Sequence, residues 1–204
     1  MKRLLMIVCA LALATAANAD VPDPSQCLSS LDDTGRLYMC PDDNTGDCAA
    51  ADFTVTVKNA NNDVIPNATV EILVGGQVDG YTVICAGEVL VQNANANGVA
   101  MFNIAGGGCY KAADACVIRA NGVEIRTYDT VVSADYSFSD NGNTVGGGDY
   151  DVDPVDLGAF VAAYQGGVGP TSCHDYNNDG GTEPVDLGTF VAAYQGGINF
   201  CDAP

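Results

Sequence analysis

A fourteen-residue segment occurs twice in this chain, 30 positions apart. Residues 154–167 read PVDLGAFVAAYQGG and residues 184–197 read PVDLGTFVAAYQGG, differing only at Ala159 and Thr189. Whatever local structure one copy adopts, the other must accommodate too. Leu157, Phe160, Val161 and Tyr164 fall at i, i+3, i+4 and i+7, and Leu187, Phe190, Val191 and Tyr194 repeat the pattern. That spacing predicts one apolar helix face per copy. Gly166-Gly167 and Gly196-Gly197 are natural helix stops. The two faces are expected to pack on each other, leaving an edge for a partner.

Oxygen-rich loops precede both copies: DYDVD at 149–153 and DYNNDGGTE at 175–183. A Ca2+ ion takes six to eight hard oxygens, supplied by alternate loop residues, with a glycine at the sharp turn and a closing carboxylate. The second loop fits this spacing. With Asp175 as position 1, Asn177 is 3, Asp179 is 5, Gly180 is 6 and Asp186 is 12. Gly181 would offer its carbonyl, and Glu183 would act through water. A plain turn rich in acids and amides is the alternative. The first loop is irregular. Placing Asp156 at position 12 puts Val145 and Gly147 at positions 1 and 3. Placing Asp149, Asp151 and Asp153 at 1, 3 and 5 leaves the loop four residues short before Asp156. Four carboxylates this close still repel, and a cation relieves them. The expected ligands are therefore Asp175, Asn177, Asp179, Gly181, Glu183 and Asp186, with Asp149, Asp151, Asp153 and Asp156 for a second Ca2+.

The N-terminus reads as a signal peptide over 1–19. Lys2 and Arg3 precede an apolar run, and Ala17-Asn18-Ala19 is a small-residue cleavage site. The apolar run is short for a membrane anchor. Cleavage removes Lys2, Arg3 and Cys9, so the formal charge of −19 becomes −21 and nine cysteines become eight. An even cysteine count in a secreted chain predicts disulfides. Proximity suggests Cys40–Cys48, Cys109–Cys116 and Cys173–Cys201. Zinc is disfavoured, because there is no C-x₂-C spacing and His174 is the one histidine. The acid excess argues against nucleic acid and anionic membrane surfaces as partners.

Residues 52–139 carry a β pattern. Strands are expected at 53–58, 64–74, 88–92, 99–104, 115–120, 123–128 and 131–138. Turns are expected at 75–76, 95–98, 106–108 and 121–122. The run from Lys58 through Pro66 to Val70, followed by Asn95-Ala-Asn-Gly-Val-Ala-Met-Phe102, resembles bacterial immunoglobulin-like domains of the invasin/intimin type. That resemblance implies an antiparallel β-sandwich over 20–139, serving as spacer, adhesin or binding domain. Residues 140–148 read as a Gly/Asn-rich linker.

The two loop–helix units at about 149–201 resemble a type I dockerin, with Leu157 and Leu187 following the closing carboxylates. The expected fold is thus mainly β: an immunoglobulin-like sandwich followed by a small α-helical dockerin-like domain of EF-hand-like repeats at 149–204. Dockerins attach secreted proteins to cohesin domains, which are β-sandwiches. This chain departs from the family at its recognition positions, with Pro184-Val185 in place of the common Ser-Thr and Ala162-Ala163 in place of Lys-Arg. The resemblance implies a non-catalytic, secreted Ca2+-binding protein that docks a cohesin-like partner or a neighbour's own sandwich. Alternatives are carbohydrate binding, with Tyr38, Tyr81, Tyr110 and Tyr128 as stacking candidates, and head-to-tail self-assembly.

Overall fold

Alternating apolar residues build the first sheet. A computed structural model describes residues 21–41, 51–136, 147–166 and 173–196. Strand β3 (Phe53–Thr56) buries Phe53 and Val55 and leaves Thr54 and Thr56 half-buried, the period of a one-sided strand. It pairs antiparallel with β1 (Leu28–Ser29) and β7 (Val99–Phe102). Phe53 lies opposite Phe102, and their rings stack at 5.3 Å.

The second sheet is larger. It contains β2 (Leu37–Met39), β4 (Thr69–Val74), β5 (Thr82–Ile84), β6 (Val91–Asn93), β8 (Gly106–Ala120) and β9 (Val123–Ser133). The order is β2-β9-β8-β4-β6, with β5 added on β8. All pairings are antiparallel except β2 with β9. Asn121 and Gly122 both have positive φ, 47° and 77°, as a two-residue hairpin turn between β8 and β9 requires. Val55 and Val57 from the first sheet meet Val70, Ile72, Ile118 and Ile125 from the second in one buried cluster. The described residues are therefore mainly β, with two sheets closing on a shared core and two α-helices, α1 (Pro154–Tyr164) and α2 (Pro184–Gly196).

Several expectations are corrected. The expected turn at 106–108 is the start of β8. A Cβ at Gly106 or Gly108 would run into the carbonyls of Val83 and Tyr81, so these glycines let β5 approach. The strand expected at 115–120 therefore extends back to Gly106, with a register shift between Lys111 and Cys116. The strands expected at 123–128 and 131–138 form one strand, β9, which ends at Ser133. Short β2 is buried at all three residues and carries no alternation to read.

Disulfide pairing also differs. Cys109 bonds Cys173, 64 positions further along the chain, with Cα atoms 5.7 Å apart. The expected Cys109–Cys116 bridge does not form. Both residues lie on β8, where successive residues advance about 3.3 Å and carry the thiols apart. Cys173–Cys201 is excluded because Cys173 is already bonded. Cys40 and Cys85 are disulfide-bonded, while Cys48 and Cys201 lie outside the described residues. Residues 1–19 and most of the expected linker, 140–146, lie outside them too.

Cys27 and Cys116 are free and buried. Burial raises the Cys27 thiol and pushes Cys116 up to about 12. The Cys116 shift follows from its place in the sandwich core. Iodoacetamide should therefore leave both thiols unmodified in the native protein and label them after denaturation. Peptide mass spectrometry reads the result, and rapid native labelling at either cysteine would refute their burial.

A second buried cluster joins the sandwich to the helices. Tyr38, Cys109, Val132, Ala134 and Tyr136 pack with Ala159, Phe160, Cys173, Tyr176 and Phe190. Phe160 and Phe190 stack at 4.9 Å, so the helices do meet each other. The buried face is rotated from the expected one, however. Asp156, Ala159, Phe160 and Ala163 point inward on α1, while Val161 and Tyr164 are exposed. The cause is Asp156, whose carboxylate is drawn inside by the backbone N–H groups of Tyr136 and Asp153.

Candidate metal centres

Position 1 of the second loop, Asp175, is 4% exposed and follows directly on the disulfide and His174. Its Oδ1 accepts from Asp179 N at 3.1 Å and its Oδ2 from Gly180 N at 3.1 Å. Gly180 has φ 103°, the left-handed turn that brings the chain round. From α2, Asp186 reaches back: its Oδ1 accepts from Tyr176 N at 2.7 Å and its Oδ2 from Glu183 N at 2.9 Å. Carboxylate oxygens of Asp175, Asp179 and Asp186 thereby come within 4.8 Å of one another.

The other expected residues of this loop stand around that trio. Asn177 Nδ2 donates to Asp179 Oδ2 at 2.8 Å, and Asn177 Oδ1 accepts from Asp179 N at 3.1 Å. Gly181 N donates to Asp179 Oδ1 at 3.3 Å. Glu183 is exposed, and the nearby Asp179 charge raises its carboxyl.

The first centre is built the same way, from a residue that the sequence pattern did not bring forward. Asp135, just past the end of β9, is fully buried. Its Oδ1 accepts from Asp149 N at 3.0 Å and its Oδ2 from Tyr150 N at 2.9 Å. Asp156 Oδ1 accepts from Tyr136 N at 2.8 Å and Oδ2 from Asp153 N at 2.8 Å. Tyr150 has φ 72°, in the place of Gly180. Asp135, Asp149 and Asp156 form the second trio within 4.8 Å. Bond for bond, Asp135 matches Asp175, Asp149 matches Asp179, and Asp156 matches Asp186.

This corrects the reading of the first loop as short. Fourteen positions separate Asp135 from Asp149, whereas four separate Asp175 from Asp179. The loop carries an insertion, and its first position lies on the sandwich. The signal was the dipeptide Asp135-Tyr136, repeated at Asp175-Tyr176. It was hidden because its offset is not that of the helices. Asp151 and Asp153 stand outside the trio. Asp153 instead caps α1, its Oδ1 accepting from Val155 N at 2.5 Å.

Glycines make room for Asp135. A Cβ on Gly107 or Gly148 would collide with Asp135 Oδ2. Burial pushes the Asp135 carboxyl up to about 8, reinforced by the charges of Asp156 and Asp149. Burial likewise pushes Asp156 up to about 7, with Asp149 and Asp153 adding to the rise. Asp149 is raised as well, by burial and then by Asp153. Three mutually repelling carboxylates gathered around buried backbone donors form a strongly electronegative pocket.

Both trios offer hard oxygen atoms and no sulfur or imidazole. That donor set fits Ca2+ or Mg2+ rather than zinc or copper. His174 belongs to neither trio. Its ring lies against Tyr136 and Phe160 at 5.1 and 5.5 Å, and burial lowers its pKa to about 4.

Among the described residues no helix is long and apolar enough to cross a membrane. No protein-family model matches the chain, and neither do the curated proteins or the solved structures.

Proposed function

We propose that this is a non-catalytic, secreted Ca2+-binding protein whose paired loop–helix units dock a protein partner outside the cell. The observation that supports the metal reading is the shared hydrogen-bond frame: two carboxylate trios, each held by four matching backbone N–H groups. Ca2+ would be held at one centre by Asp175, Asp179 and Asp186, with Asn177, Gly181 and Glu183 alongside. At the other it would be held by Asp135, Asp149 and Asp156. Each ion would neutralise buried like charges and fix its loop against its helix.

Isothermal titration with CaCl2, with and without chelator, tests this. Two equivalents of Ca2+ are expected per chain; no heat and no change in melting would refute the reading. Asp175→Ala combined with Asp179→Ala should remove one equivalent. Gly107→Ala should remove the other, because the added methyl displaces the Asp135 carboxylate. Retention of two equivalents in the Gly107→Ala protein would disprove the assignment of Asp135.

The docking reading rests on what the helices leave exposed. Val155 and Val185 are 58% and 61% exposed, and Tyr164 and Tyr194 are 44% and 38% exposed. The same apolar residues are thus presented twice, which suits a cohesin-like sandwich or a neighbour's sandwich. We read the β region as an immunoglobulin-like spacer or adhesive domain. Disulfides agree with an exported chain. Sugar binding is a second reading. Tyr38 and Tyr128 are buried and leave it, but Tyr81 and Tyr110 stack at 5.6 Å and are half-buried. A glycan array separates the two readings.

A further inference from the structure

The two centres differ in one respect outside their matching backbone frame. Arg36, from the segment leading into β2, is 4% exposed and reaches across to the second loop. One of its Nη atoms donates to the backbone carbonyl of Asp175, and the other donates to Asn178 Oδ1. Its Nη2 also lies 3.7 Å from Asp175 Oδ2. Burial lowers the Arg36 pKa, and the charges of Asp175, Asp186 and Asp179 hold it up. The guanidinium therefore sits beside Asp175 and feels the charges of Asp186 and Asp179. Around Asp135, Asp149 and Asp156, by contrast, the charges acting most strongly are all carboxylates.

We infer that Arg36 is a resident countercharge for the Asp175 centre, holding its loop in shape before metal arrives and making it the weaker of the two Ca2+ sites. A fixed positive charge offsets part of the repulsion that would otherwise drive cation binding, and it repels the incoming ion. The same charge, hydrogen-bonded to Asp175 and Asn178, keeps the loop closed without metal. Among the described residues, no cation is among the charges acting most strongly on the Asp135 centre, whose trio is held by backbone N–H groups. Where the carboxylates of both trios are ionised, the sites therefore fill in order, Asp135 first and Asp175 second, and the sandwich sets the affinity of the second through Arg36. This inference rests on the Ca2+ reading above.

The test is calorimetric titration with CaCl2 in the full chain. An Asp149→Ala background disables the first centre through an exposed residue, leaving the Asp175 site to be measured alone. Adding Arg36→Gln should tighten that site about tenfold or more. It should also lower the melting temperature without Ca2+. Arg36→Lys, which keeps the charge, should bind Ca2+ about as weakly as the Asp149→Ala parent. Asn178→Gly removes one anchor of the guanidinium but no charge, and it suits the left-handed backbone at that position, φ 61°. It should leave affinity unchanged. A purely structural role for Arg36 predicts the reverse sign: weaker binding in both the Gln and the Gly variants. That result, or equal affinity in parent and Gln variant, would overturn the inference while leaving two Ca2+ sites standing. If the unmutated chain takes up no Ca2+, the functional reading falls and this role falls with it.

Discussion

Without metal, the protein should lose thermal stability between about pH 5 and about pH 8, because two raised carboxyls outweigh the opposite trend from buried His174, lowered to about 4, and saturating Ca2+ should abolish the loss. The group responsible is the Asp135 carboxyl, with Asp156 beside it. Both are raised in the folded protein, to about 8 and about 7, from 3.8. A folded carboxyl that holds its proton more tightly than the unfolded chain binds more protons in the native state. Stability then falls with rising pH across the window between the two values. Below about pH 4 the contribution is complete, and by about pH 8 it is spent. Ca2+ needs the ionised oxygens, so its affinity rises over the same window, opposite in sign to the loss of stability. At a thousandfold excess over Kd, one site adds about 4 kcal/mol. In a chain of this size that raises the melting temperature by about 10 °C. Calorimetric melting at about pH 5 and about pH 8, each with Ca2+ and with chelator, gives the values needed. Asp135→Asn should flatten the metal-free slope and reduce Ca2+ uptake to one equivalent. A metal-free protein equally stable at both pH values would contradict the burial of that carboxylate.

Cys109→Ser with Cys173→Ser should produce a loss of similar size by another route. The bridge closes a loop of 64 positions, and cross-linking a chain over that separation restricts the unfolded state by about 4 kcal/mol. Its removal should lower the melting temperature by about 10 °C. The loss should persist in saturating Ca2+, because the disulfide acts on the unfolded chain while the ion acts on the folded one. Cys109 and Cys173 also belong to the aromatic cluster that seats both helices on the sandwich. Near-UV circular dichroism should therefore weaken in the double variant even below its melting transition. Unchanged melting would mean that packing of Phe160, Phe190, Tyr136 and Tyr176 alone holds the helices in place.

Local sequence carried the helices and the second loop. Both helices begin at the proline that opens each copy of the repeat, and the carboxylates of Asp175, Asp179 and Asp186 come together. Alternation revealed β3, β4 and β7, because each buries one face more deeply than the other. Features that depend on distant partners stayed hidden. Residues 106–108 look like a turn until β5 is laid against them. Helix periodicity left Asp156 off the expected apolar face, whereas Tyr136 N and Asp153 N hold it inside and α1 is rotated accordingly. Asp135 escaped because its tie to Asp149 crosses an insertion that no fixed repeat length can bridge. Pairing of Cys109 with Cys173 follows from the packing of α1 and α2 on the sandwich, which no spacing between cysteines encodes.

The same bridge has a mechanical meaning. A chain that docks a partner, as proposed above, would be pulled on, and tension travels along covalent bonds. With Cys109 joined to Cys173, a pull entering the chain on either side of that pair crosses over the sulfur atoms. Residues 110–172, which include Asp135, Asp149, Asp156 and all of α1, form a closed ring that the force bypasses. The ring cannot be drawn out while the bridge stands, so its metal centre is sheltered from stretching. Asp175 and α2 lie beyond the ring, so a pull entering through the exposed Val185 and Tyr194 of α2 would load that centre directly.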